Sequence, residues 1–178
     1  MVEPVDDSTL VTTARDGDLA SFEELVRRHQ SPVYRVALRM LGSRADAEDV
    51  AQETFVQAWR SLSKFRGESA FGTWLYRIAT NRSLNVLAGR RADSVPIDDE
   101  LLSAAVGTDE EVEQRLRLQA TVTAILTLEP EQRALIVLRE LEGLGYAEIG
   151  EILGLGESLV KGRLHRARLV LVATVEEE

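Results

Sequence analysis

The residues best placed for chemistry near the C-terminus are Lys161, Arg163, His165, Arg166 and Arg168. If residues 158–173 form a helix, Val160, Leu164, Ala167 and Leu171 fall on one stripe at 100° per residue. Ser158, Lys161, Gly162, His165 and Arg166 then lie opposite, with Arg163 and Arg168 at the flanks. A basic face with a short polar N-terminal end suits the major groove, where Arg and Lys donate to guanine edges or phosphates. An ordinary solvated basic face is the plainer explanation. The preceding residues favour DNA, because a short apolar helix (146–153) and a glycine turn lead into the basic helix, as in a helix-turn-helix.

A second cluster lies between residues 59 and 77. Trp59, Phe65, Phe71, Trp74 and Tyr76 are five of the nine aromatics in the chain, and Arg60, Lys64, Arg66 and Arg77 are interleaved with them. Aromatic faces stack unpaired bases while neighbouring cations hold the backbone, so the mixture points to single-stranded DNA. Large rings also build cores, and Trp59 and Trp74 are expected there. Phe65, on a loop between Lys64 and Arg66, is the better candidate for base contact. A third group, Asp46, Asp49, Gln52, Glu53 and Gln57, lies opposite the apolar stripe of a helix over 44–62. That is either a solvated acidic face or a protein-docking surface.

The net charge of −9 argues by itself against a nucleic-acid partner, but its distribution matters more than its sum. Residues 60–91 carry seven bases against Glu68, a net +6. Residues 92–113 carry eight acids and no base, a net −8. Residues 157–175 carry four bases against Glu157, a net +3. Two basic blocks thus flank an acidic connector. With no cysteine, disulfides and thiolate metal sites are excluded. His29 and His165 lack ligand-like spacing, and no glycine-rich phosphate loop or nucleophile constellation is present. No cofactor and no small-molecule substrate are expected, and an enzyme is the weakest reading. The polar, acidic N-terminus is unlike a signal peptide and no apolar run would span a bilayer, so a cytoplasmic, non-membrane protein is expected.

These groups need helices to position them, and no strand pattern competes. Ser8 is expected to cap a helix ending at Gly17, and Asp18 one running to His29. Ser31-Pro32 either starts a new helix or kinks the old one, which ends at Gly42. Ser43 with Asp46 resembles a capping box. A loop over 63–72 leads to a helix over 73–90. Helices over 109–127, 131–141, 146–153 and 158–173 follow, with Ser158 as the expected N-cap of the last. The expected fold is all-α: a helical domain over 1–91, a flexible acidic linker over 92–108, and a second domain over 109–175 containing the helix-turn-helix.

Two long segments resemble a known family. DAEDVAQETFVQAWRSLSKFRGESAFGTWLYRIATN (46–81) resembles region 2 of the extracytoplasmic-function (ECF) sigma factors of bacterial RNA polymerase. LEPEQRALIVLRELEGLGYAEIGEILGLGESLVKGRLHRARLVL (128–171) resembles their region 4. The resemblance implies a factor that binds polymerase core, melts a −10 element with region 2 and reads a −35 element with region 4. It implies core docking by Asp49, Gln52 and Glu53. It implies −10 contacts from Phe65, Ile78 and Asn81, with Ser61 and Asn85 beside them. It implies −35 contacts from Arg139, Lys161, Gly162, His165 and Arg166. Polymerase core, promoter DNA and an anti-sigma factor are the implied partners. Gly72, Gly145, Leu159 and Gly162 depart from the family's usual residues, and Gly162 removes a hydrogen-bonding side chain from the DNA-facing helix. An autonomous helix-turn-helix regulator is the competing reading. It would need a sensor or dimerisation domain, which residues 1–91 do not resemble.

Overall fold

The computed structural model describes residues 5–90 and 109–176. The expected linker over 92–108 lies outside the described residues. Among these, eight α-helices and no strands occur: α1 (Asp7–Arg15), α2 (Leu19–Leu41), α3 (Arg44–Ser61), α4 (Phe71–Gly89), α5 (Asp109–Thr127), α6 (Pro130–Ile136), α7 (Tyr146–Leu153) and α8 (Glu157–Glu176). A 3₁₀ turn, Leu62–Lys64, follows α3, and a π-helical segment, Val137–Leu141, extends α6.

Local chemistry sets most of the boundaries. Asp18 accepts from the Ser21 amide at 3.2 Å and starts α2. Gly42 ends it in the left-handed conformation at φ +67°, where a side chain would be strained, and donates to the Leu38 carbonyl at 2.8 Å. Ser43 then accepts from the Asp46 amide at 3.3 Å and starts α3. Three expectations need correction. Asp6 caps α1, not Ser8, because its carboxylate reaches the Thr9 amide at 2.9 Å. Helix α2 does not stop at His29 but runs through Pro32 to Leu41. Phe22, Leu25, Val33, Val36, Ala37 and Met40 form one buried stripe, whose burial outweighs the one backbone bond that Pro32 cannot donate. Ser158 lies inside the first turn of α8, whose Val160 amide bonds the Gly156 carbonyl.

Helices α1 to α4 pack on one another around Leu10, Phe22, Leu25, Val33, Phe71 and Leu75. A second core spans both halves of the chain. Val36, Met40 and Leu41 of α2 and Val50 of α3 meet Leu135, Leu138, Ile149, Val160 and Leu164. Arg133 of α6 bolts this seam. Its buried guanidinium donates to the Met40 carbonyl at 2.6 Å, to the Leu128 carbonyl at 3.1 Å and to the Leu126 carbonyl. The carbonyls hydrate the charge in place of water, and burial lowers the guanidinium's pKa from its ordinary value. The seam also joins α4 to α7, where Thr73 donates to Glu148 at 3.4 Å.

Candidate nucleic-acid interface

Helix α4 brings the strand-binding candidates together by spacing. Trp74, Ile78, Asn81 and Asn85 recur every three or four residues, so they share a face. With Gln57, Ser61, Lys64, Arg77 and Arg82 they line a cavity of about 500 Å³. Lys64, Arg77 and Arg82 supply three cations, and no carboxylate lines the walls. Amide side chains at 81 and 85 offer both donors and acceptors to a base edge. Four of the five −10 candidates, Ser61, Ile78, Asn81 and Asn85, therefore border one space.

Phe65 does not line that cavity. Its ring is 8 % exposed and packs against Phe71 and Trp74 at centroid distances of 5.7 and 4.9 Å. The 3₁₀ turn swings it inward, with the Phe65 amide bonded to the Leu62 carbonyl and the Phe65 carbonyl held by Arg15 at 2.5 Å. The expected order of burial among the aromatics is reversed. Trp74 is only partly buried and lines the cavity, while Trp59 is 40 % exposed against Phe22. Trp74 supplies the accessible ring that was expected of Phe65. A second cleft adjoins the first. Phe65 borders this one, with Lys64, Arg66, Glu68, Trp74, Arg77 and Glu151 of α7.

The acidic face of α3 is exposed at Asp49, Gln52 and Glu53. Gln52 borders a groove of about 900 Å³ between α2 and α3, floored by Val26, Tyr34, Phe55 and Val56. Asp46 is not part of a free surface, since it pairs with Arg90. Glu53 pairs with Arg82 across to α4.

At the other end, α7 and α8 follow one another through Gly154, which is left-handed at φ +67°. Gly150 allows the close turn: a Cβ there would meet the Leu155 carbonyl oxygen at 2.6 Å. Gly145 lacks a capping side chain, but Glu148 reaches back to its amide at 2.8 Å and completes half of a capping box. Val160, Leu164 and Ala167 are buried as their spacing requires. Lys161, Gly162, His165 and Arg166 are exposed on the far side, and Gly162 faces open space. Lys161 pairs with Glu157 at 2.9 Å and sits 5.1 Å from the Tyr146 ring centroid. Arg139 is half-buried. It lies over the same ring at 4.6 Å and donates to the Leu144 carbonyl at 2.7 Å, stapling the turn before α7. Arg163 and Arg168 pair with Glu131 and Glu140 at 2.9 and 2.5 Å. Arg166 makes no ion pair among the described residues. Periodicity missed the exposed row of Leu169, Val170, Val172 and Val175 on α8.

Gly72 has a local reason. A Cβ there would press on the His29 ring at 3.3 Å, and that ring holds Asp7 at 2.6 Å and edges Phe71.

Both halves of the chain are similar to known proteins. Residues 25–92 match the family described as Sigma-70 region 2, and residues 118–171 match Sigma-70, region 4. The chain is 40% identical to the ECF RNA polymerase sigma-E factor of Haemophilus influenzae, with 94% of each covered. It is 39% identical to the ECF RNA polymerase sigma factor SigE of Mycolicibacterium smegmatis, over 94% of this chain and 68% of that one. Among solved structures, CnrH in complex with the cytosolic domain of CnrY is similar at a TM-score of 0.74 and 30% identity, covering 97% of this chain and 98% of that chain. Among the described residues no helix is long and apolar enough to cross a membrane.

Proposed function

The chain belongs to the ECF sigma factors of bacterial RNA polymerase, and we propose that its two helical halves divide promoter recognition between them. It is an RNA polymerase sigma factor that directs promoter-specific transcription. In this reading residues 1–91 dock on core and open the −10 element, residues 92–108 connect, and residues 109–175 read the −35 element. The carrying observation is the cavity that gathers Ser61, Ile78, Asn81 and Asn85 around the Trp74 ring and three cations. An extruded base needs a stacking wall and a few edge hydrogen bonds, and its phosphates need positive charge.

Asp49, Gln52 and Glu53 form the core-docking face, beside the apolar groove between α2 and α3. Lys161, His165 and Arg166 face the −35 major groove, with Gly162 letting the backbone approach closely. Arg139 supports that surface by holding Tyr146 beneath Lys161. The chain performs no reaction of its own in this reading and works in the cytoplasm beside polymerase. An anti-sigma factor is its proposed regulator, in keeping with the similarity to CnrH, which is seen bound to a protein domain.

Reconstitution tests the assignment. The full chain mixed with polymerase core should give run-off transcripts from a subset of promoters in a genomic library. Asp49→Asn with Glu53→Gln should weaken core binding without changing helicity. Full core affinity in that double variant would remove the docking face from α3.

A further inference from the structure

One side chain joins the docking face to the strand-binding cavity. Arg82 of α4 donates from Nε to the Gln57 Oε1 at 3.0 Å, and its Nη1 pairs with Glu53. Gln57 and Arg82 both line the cavity, whereas Glu53 stands one turn from Asp49 on the exposed acidic face. The Glu53 side chain is well exposed and Arg82 about one-third exposed. Such a pair is weak and exchanges partners without unfolding anything.

We propose that Arg82 is a switched phosphate ligand of the strand-binding cavity, held back by Glu53 in the free chain and released when polymerase engages Glu53. This rests on the reading of α3 as the docking face. One carboxylate faces two claims. A basic docking surface that covers Asp49 also reaches Glu53 and competes with Arg82 for it. Once released, Arg82 stands beside Asn81 and one turn beyond Ile78, at the edge of the space with Lys64 and Arg77. A guanidinium there makes a charge-assisted contact to the backbone of the captured strand. The coupling is reciprocal, so a strand that takes Arg82 frees Glu53 for polymerase.

The test uses the full chain with a fluorescein-labelled oligo-dT, read by anisotropy across a salt series, and core polymerase titrated separately. Glu53→Gln should raise oligo-dT affinity several-fold and steepen the salt dependence by about 0.7, the value of one phosphate contact on a single strand. Asp49→Asn removes the same charge one turn away and should leave that slope unchanged. With Arg82→Gln also present, the effect of Glu53→Gln should vanish. Arg82→Gln alone should tighten core binding, because Glu53 has lost its rival; a tie serving only stability would leave core binding equal or weaker. An unchanged slope in Glu53→Gln, or equal or weaker core binding in Arg82→Gln, overturns the proposal. If neither Asp49→Asn nor Glu53→Gln weakens core binding, the docking reading itself falls and the switch falls with it.

Discussion

Tyr76 of α4 donates its hydroxyl to the Glu142 carboxylate at 3.3 Å, across the seam between the two halves of the chain. The Glu142 side chain is only 4 % exposed and also accepts from Arg35 at 3.4 Å and Arg39 at 2.5 Å, both on α2. One carboxylate from the turn before α7 thus ties down two helices of the other half. Burial, then the Glu142 charge, pushes the Tyr76 hydroxyl up to about 12. A folded-state value above the unfolded one of about 10 means full stabilisation below pH 10. That stabilisation is lost as the pH rises through about 12. Glu142→Gln should lower the Tyr76 titration and weaken the seam by about 1.5–3 kcal/mol, the worth of hydrogen bonds to a charged group. Tyrosinate absorbance against pH and urea denaturation check the two effects. An unchanged tyrosine titration would show that the seam is not held at Glu142.

Trp74 and Phe65 should respond differently to truncation. Phe65→Ala empties a site among Phe71 and Trp74 and should destabilise the fold by about 3–5 kcal/mol. Trp74→Ala should weaken capture of an unpaired −10 strand by about 1–3 kcal/mol, and Trp74→Phe should recover part of it. Thermal melts paired with binding to a pre-opened promoter fork separate the roles. Strand capture untouched in Trp74→Ala would return the stacking wall to another residue.

Arg166 is exposed on α8 and makes no ion pair among the described residues, unlike Lys161, Arg163 and Arg168. Its guanidinium needs no rearrangement to meet DNA. Arg166→Ala should cost about 1–3 kcal/mol and relax selectivity at one position if it reads a base edge. If it touches phosphate only, binding should weaken for all sequences and the salt slope should fall by about one unit. Footprinting of the holoenzyme distinguishes these outcomes. Leu164→Ala, on the buried stripe, should lower stability by about 2–5 kcal/mol and leave sequence preference alone. Full −35 protection with an unchanged salt slope in Arg166→Ala would move the DNA face elsewhere.

Gly150 is required by a backbone neighbour, not by a positive φ. Gly150→Ala would bring its Cβ to 2.6 Å from the Leu155 carbonyl oxygen, and a backbone atom has no rotamer in which to withdraw. The turn between α7 and α8 must open, at about 1–3 kcal/mol. Chemical denaturation should show that loss, together with weaker −35 binding. Wild-type stability in this variant would mean that the turn is looser than its geometry.

The sequence by itself determined the parts that are local. Gly42 and Gly154 stop helices because glycine tolerates the left-handed conformation, and both ends lie where spacing placed them. Helix α5 spans the expected 109–127, and the Val160, Leu164 and Ala167 stripe is buried because a 3.6-residue period fixes a helix face without reference to its partner. The family resemblance pointed to Ser61, Ile78, Asn81 and Asn85, which the fold sets around one cavity. Tertiary structure alone decided which aromatic is exposed. Phe65 and Trp59 exchange the places expected of them because a 3₁₀ turn re-aims one ring and Phe22 supports the other at the surface. It also decided that Arg133 reaches Met40, that Glu142 reaches Tyr76 and that Glu53 reaches Arg82. These partners lie 29 to 93 residues apart, and periodicity carries no information over such separations. Only the docking of one helix face on another sets those distances, since a side chain's partner depends on where its whole helix lies.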